Sequence, residues 1–105
     1  MPYRTEFTKR SARAVNDTLE WLGNRSPEAA DQFFDQLQEQ LQKLRDNPER
    51  YPSAEEAAEF GFDLREATFG KKRSVYRVLF TIEGEFVRIT HVRRATMDKL
   101  GPEDF

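Results

Sequence analysis

Apolar residues follow two different periods along this chain, and the change falls in its last third. Tyr3, Thr5 and Phe7 alternate with Arg4 and Glu6, the pattern of a short half-buried strand over residues 3–7. Thr8 stands where a helix N-cap belongs. Ala12, Val15, Leu19 and Leu22 follow at three- and four-residue spacing and make one apolar stripe, with Gly23-Asn24 at its end. Ser26-Pro27-Glu28 is a restart signal, combining a capping serine, proline at the first helical position and an acid in the first turn. Ala30, Phe33, Phe34, Leu37, Leu41 and Leu44 then mark a second amphipathic helix, which Asn47-Pro48 stops. The short break between the two helices predicts an antiparallel hairpin. Between residues 47 and 61 the pattern lapses. There Ser53-Ala54-Glu55-Glu56 fits a capping box for a brief helical segment ended by Gly61.

Beyond Gly61 the period becomes two. Phe62–Phe69, Ser74–Ile82 and Glu85–Arg94 read as strands rich in Val, Ile, Phe, Tyr and Thr, the last two joined by a Glu83-Gly84 loop. That loop sets Ile82 opposite Glu85, Phe80 opposite Val87, Val78 opposite Ile89 and Tyr76 opposite His91. One face then holds Tyr76, Val78, Phe80, Ile82, Val87 and Ile89, enough to cover two helices. With Phe62 and Leu64 on that same core face, Arg65 joins Arg77 on the other. The expected fold is α+β: an N-terminal strand, a two-helix antiparallel hairpin, then a three-stranded antiparallel meander with the helices on one sheet face. A chain of 105 residues is the size of one domain, here 1–105.

Composition narrows the chemistry. Nine Phe, three Tyr and one Trp offset a charged fraction of 34% and indicate a folded chain. The absence of cysteine excludes disulfides, thiolate catalysis and Cys-ligated metals. With a single histidine, and no metal spacing among Glu83, Glu85 and Asp98, neither a metal site nor a cofactor is expected. No phosphate loop, nucleophile elbow or dinucleotide fingerprint occurs. Met1-Pro2-Tyr3-Arg4 lacks the apolar stretch of a signal peptide and no run approaches a membrane span, so a cytoplasmic protein without membrane contact is expected.

The net charge of −2 conceals an asymmetry. Residues 1–64 carry 8 Lys/Arg against 13 Asp/Glu, whereas residues 65–94 carry 8 against 3. On the outer sheet face the pattern gathers Arg65, Arg77, Arg88 and Arg94, with Lys71-Lys72-Arg73 in the adjoining turn and Arg93 beside them. Such a cluster repels itself unless an anion, an acidic partner or nearby carboxylates relieve it. Leu79, Phe86 and Val92 interleave with the cations, which suggests a groove for an amphipathic segment or stacked bases rather than edge protection alone. His91 falls beside Tyr76 on the helix-facing side, where a hydrogen-bonded structural role outweighs acid–base work.

Several of these segments together resemble the RelE/ParE superfamily, the toxins of type II toxin–antitoxin modules often called plasmid-stabilisation proteins. They are Tyr3–Phe7, the Arg25-Ser26-Pro27-Glu28-Ala29-Ala30 stretch, Leu64-Arg65, Gly70-Lys71-Lys72-Arg73, Val75-Tyr76-Arg77-Val78-Leu79-Phe80 and His91-Val92-Arg93-Arg94. The resemblance covers nearly the whole chain and implies the fold derived above. It also implies a cognate antitoxin as partner and growth arrest as activity. RelE-like members cleave messenger RNA on the ribosome, and that branch implies catalysis by Arg65, Arg77, His91 and Arg94. ParE-like members inhibit DNA gyrase with no hydrolytic centre attributed to them. Where several ribonucleases carry a late catalytic tyrosine, this chain has Ala95-Thr96-Met97-Asp98, and no tyrosine follows Tyr76. That departure favours the ParE-like branch, with Arg65, Lys71, Lys72, Arg73, Arg77, Leu79, Phe86, Arg88, Val92, Arg93 and Arg94 as the target or antitoxin surface. A ribosome-dependent endoribonuclease and a non-toxic binding module on the same fold are the alternatives.

Overall fold

A computed structural model describes residues 2–72, 74–97 and 100–104. Strand β1 (Arg4–Phe7) leads into helices α1 (Lys9–Arg25) and α2 (Pro27–Asp46). A 3-10 turn (Pro48–Arg50) and the short helix α3 (Glu55–Phe60) precede strands β2 (Arg65–Phe69), β3 (Tyr76–Glu83) and β4 (Phe86–Arg94), and a last 3-10 turn spans Pro102–Asp104. The expected order of elements is therefore present. Thr8 caps α1 by accepting from the Ser11 amide. Helix α1 continues through Gly23-Asn24, and Ser26 closes it while capping α2 through the Ala29 amide. Ser53 does not cap α3; Ala54 occupies the N-cap position without a side-chain bond, and Ser53 bridges Arg65 instead. Gly61 ends α3 in the left-handed region, at φ 76°.

The sheet has the order β1-β4-β3-β2. β2, β3 and β4 form the antiparallel meander, while β1 pairs with β4 in parallel. The helix-facing core joins Phe33, Leu37, Leu41 and Leu44 of α2 to Ala67, Tyr76, Val78, Phe80, Val87, Ile89 and Val92 of the sheet. Val15, Leu19 and Leu22 of α1 close its flank, whereas Phe34 points outward at 46% exposure. Leu37 is almost fully buried, so Leu37→Ala is expected to lose about 2–5 kcal/mol in urea unfolding. A wild-type midpoint would show that this face of α2 does not pack on the sheet.

The opposite sheet face has an apolar cluster of its own. Leu79 and Leu64, both fully buried, pack there with Ala54 and Leu100. Leu64 thus lies on the far side from the helices, contrary to the pattern reading, and Phe62 is exposed ahead of β2. The reason is the register of β2. Arg65 stands opposite Phe80 and Glu66 opposite Leu79, so Arg65 shares the helix-facing side and Arg77 does not. The β2–β3 turn depends on Gly70: at φ 100° a side-chain carbon there would lie 2.0 Å from the Ser74 carbonyl oxygen.

The β3–β4 loop is Gly84-Glu85, one residue later than expected, with Gly84 at φ 61° supplying the conformation a two-residue loop needs at its first position. Glu83 pairs with Phe86, Ile82 with Val87 and Phe80 with Ile89. Each partner moves by two residues from the expected register, which leaves the faces unchanged up to this point. A bulge then intervenes: Leu79 pairs with His91, so Thr90 is an extra residue in β4. Every residue after it changes sides. His91 and Arg93 lie on the outer face, opposite Leu79 and Arg77, while Val92 and Arg94 face the helices, opposite Val78 and Tyr76. The expected pairing of His91 with Tyr76, and the outward placement of Val92 and Arg94, are overturned by this one inserted residue.

Candidate functional site

Two outer-face arginines, Arg77 and Arg88, are held by carboxylates of the protein itself. Arg77 donates through Nη2 and Nη1 to Glu56, at 2.7 and 3.0 Å, and through Nε to Glu66. Glu56 is 1% exposed and also accepts the Leu100 amide at 3.3 Å. The hydrogen bonds from Arg77 hold the Glu56 carboxyl at about 2 against the opposing pull of burial, and they raise the Arg77 guanidinium in return. Arg88 pairs with Glu6 at 3.1 Å and Glu83 at 3.3 Å. Arg65, on the other face, donates to the carbonyls of Glu49 and Tyr51 and pairs with Asp63. The structure therefore does not bring Arg65 and Arg77 together, and Arg77 is a half-buried ion-pair residue rather than an open cation.

Leu79 is fully buried under Leu64 and Leu100, and Val92 belongs to the helix-side core, so neither lines an outer groove. Phe86 is half-buried at the start of β4. Lys71 and Lys72 are exposed in the β2–β3 turn, and Arg73 lies outside the described residues.

A cleft of about 410 Å³ opens elsewhere, between α1 and the second half of β4. Its far wall is one face of α1, carrying Arg10, Ala14, Asp17, Thr18 and Trp21. The near wall is β4 from Thr90 to Arg94, with Tyr76 behind it and Met97 and Asp104 at the ends. Trp21 is 45% exposed, with the Arg25 guanidinium 4.6 Å and the Arg94 guanidinium 5.7 Å from its ring centre. Met97 is 53% exposed, so the cleft combines apolar surface with a cationic rim of Arg10, Arg93 and Arg94. Two of the anticipated cations, Arg93 and Arg94, contribute to it. Trp21, Arg10 and Met97 are residues the apolar pattern leaves unmarked. The only signal for the α1 wall is a second stripe, Ala14, Thr18 and Trp21 at helical spacing beside the core stripe, and Met97 has none.

His91 closes the floor of this cleft. It is nearly buried, with Nε2 at 3.0 Å from the Asp104 carbonyl oxygen and Nδ1 at 3.0 Å from the Thr90 hydroxyl. A carbonyl only accepts, so Nε2 carries the proton. Burial lowers the His91 pKa; the Asp104 carbonyl works against this, and the charges of Arg10 and Arg93 add to it. Arg10 donates to the same Asp104 carbonyl, and together these bonds fasten the C-terminal turn across the end of the cleft. Among the described residues no three His, Asp or Glu side chains converge where a metal could be held.

The arrangement offers shape, apolar surface and fixed positive charge at an open strand edge. A family model described as the ParE toxin of the type II toxin–antitoxin system parDE matches residues 5–99. The chain belongs to the ParE toxin family. It is therefore the toxin of a type II toxin–antitoxin system, and ParE membership implies an antitoxin partner. Among curated proteins none matches this ParE chain in sequence. Among the described residues, no helix is long and apolar enough to cross a membrane.

Proposed function

We propose that this toxin arrests growth by binding DNA gyrase, without a hydrolytic step of its own, and that a cognate antitoxin neutralises it in the cytoplasm. The observation that supports this most is the state of Arg77. A ribonuclease would need that guanidinium facing a scissile phosphate, where it could stabilise the charge that develops during in-line attack. Here both of its edges are taken by Glu56 and Glu66. Arg65 is on the other side of the sheet, and the His91 Nε2 is engaged by the Asp104 carbonyl. The cleft between α1 and β4, with Arg93 and Arg94 on its rim, suits recognition of a protein partner better than acid–base chemistry.

Purified toxin is expected to inhibit gyrase supercoiling in a dose-dependent manner. Primer extension on messages from arrested cells is expected to show no codon-phased cuts. Codon-phased cleavage with normal supercoiling would replace this reading with the ribonuclease one. Absence of both effects, with no growth arrest, would leave a binding module.

A further inference from the structure

The last 3-10 turn is tied down at both of its ends. Leu100 seats its side chain in the outer apolar cluster with Leu64 and Leu79, and its amide donates to Glu56 at 3.3 Å. Glu56 stays ionised down to about pH 2, so this first anchor holds through mild acid. At the far end of the turn the Asp104 carbonyl accepts from His91 Nε2 at 3.0 Å and from Arg10. Between the anchors the turn closes on itself. The Gly101 amide donates to the Asp104 carboxylate at 2.9 Å, and the Asp104 amide donates to the Gly101 carbonyl at 3.1 Å.

The second anchor hangs on the only histidine of the chain. With its hydrogen on Nε2, the neutral ring presents a lone pair at Nδ1, and the Thr90 hydroxyl 3.0 Å away supplies a hydrogen to it. A second proton has to enter at Nδ1. The Thr90 hydroxyl then turns to the Leu79 carbonyl, 3.2 Å away, and the ring becomes a cation in a nearly buried place. Every element packed around it sets the charge it meets. α1 brings Arg10, on the same carbonyl, with Asp17 further along the cleft wall. β4 brings Arg93, the turn brings the Asp104 carboxylate, and β3 presents the apolar Leu79 opposite. Burial, with Arg10 and Arg93, outweighs the Asp104 carbonyl and carboxylate, and the docked ring titrates below its ordinary 6.5. Release of the turn lets water reach the ring and takes away the acceptor that fixes Arg10 beside it. The released state therefore binds the proton more readily than the docked one, and acid favours release.

We propose that the C-terminal turn is a pH-sensitive strap: neutral His91 holds it across the end of the cleft, and protonation at Nδ1 releases it while Leu100 stays seated. Asp104 lines that end of the cleft, so release extends the opening toward Arg10. The strap requires no assumption about the target of the toxin. Its hold is complete above pH 6.5 and weakens as pH falls below that value. One proton changes the release equilibrium by at most about tenfold per pH unit.

A chain with no cysteine and one histidine makes both ends of this coupling observable. Glu103→Cys places a unique thiol at an exposed position of the turn, where a nitroxide label reports its mobility. The one imidazole signal in proton NMR reports the charge of His91. Full-length labelled toxin is titrated from about pH 8 to about pH 4.5, the range in which a histidine changes charge. An immobilised label is expected at the alkaline end. It should give way to a mobile one with the same midpoint, below 6.5, as the His91 signal. The mobile-to-immobile ratio should rise by about tenfold or less per pH unit. His91→Gln keeps an amide N–H for the Asp104 carbonyl and cannot take up a proton, so the mobility of its label should lose its pH dependence. Far-ultraviolet circular dichroism should stay constant across the transition in both proteins. A label already mobile at the alkaline end, or one that stays immobilised while His91 titrates, would overturn the strap. So would a His91 signal that does not titrate in this range, the same release in His91→Gln, or loss of helical signal at the same midpoint.

Discussion

Glu56→Ala is expected to destabilise the protein by about 3–5 kcal/mol, out of a total of roughly 5–15 for a domain of this size. The carboxylate is 1% exposed and holds two Arg77 nitrogens and the Leu100 amide. Its removal leaves a guanidinium in a mostly buried place with Glu66 as its remaining carboxylate partner. Urea unfolding of the single variant measures the loss. The double variant Glu56→Leu, Arg77→Met should recover much of it, because replacing both charges also removes the cost of desolvating them. A single variant as stable as wild type would mean that the triad contributes nothing to the fold.

The same group predicts a pH dependence. Arg77 holds Glu56 at about 2 in the folded state, against an ordinary value of 4.5. A depressed carboxylate binds fewer protons folded than unfolded. Its contribution is therefore fully present above pH 4.5 and is lost as pH falls toward 2. With each pKa unit equivalent to ~1.4 kcal/mol, the stability lost across this window amounts to about 3 kcal/mol. Glu56→Gln should remove that part of the acid sensitivity, and an unchanged acid limb in the variant would assign it to other carboxylates.

Val92→Arg is expected to be far more damaging than an arginine at an outward strand position. Thr90 is the extra residue of the β4 bulge, and with it Val92 stands opposite Val78 on the core face. Val92 is 4% exposed, and its burial alone is worth roughly 1.5–3 kcal/mol, before the desolvation of an arginine is added. We expect a loss of more than ~3 kcal/mol and a red-shifted Trp21 emission as the cleft wall is lost. Deletion of Thr90 keeps Leu79 opposite His91 and Val78 opposite Val92, so it closes the bulge and should be far milder. Thr90→Ala gives up the hydroxyl bonds to the Leu79 carbonyl and to His91 Nδ1, so it should cost about 1–2 kcal/mol. If Val92→Arg matches Thr90→Ala in stability, Val92 does not lie in the core and the bulge does not set the faces of β4.

Much of the fold is legible in the sequence because it rests on local physics. The change of period from helix to strand, the serine and proline at Ser26-Pro27 and the threonine cap at Thr8 act within a few residues of themselves. The β3–β4 pairing near the loop is legible for the same reason. An error of one residue in placing the loop moves partners by two and leaves the core face intact. The bulge is different. The step from Ile89 to Val92 breaks the alternation, but an outward valine and an inserted Thr90 produce the same string of residues. Only the packing of Val92 against the helix-side core chooses between them. Charge is likewise underdetermined along the chain: a count of arginines in the last third shows a surplus, yet Arg77 is neutralised by Glu56, 21 residues earlier. The cleft is the furthest from the sequence of all. It exists because β1 stops at Phe7, opposite Ile89, while β4 runs on to Arg94, and because α1 then lies alongside the uncovered edge. The lengths of the two strands are written in the chain, but their parallel pairing joins residues some 80 positions apart, and that alignment is decided by burial of Phe7, Val87 and Ile89 in one core.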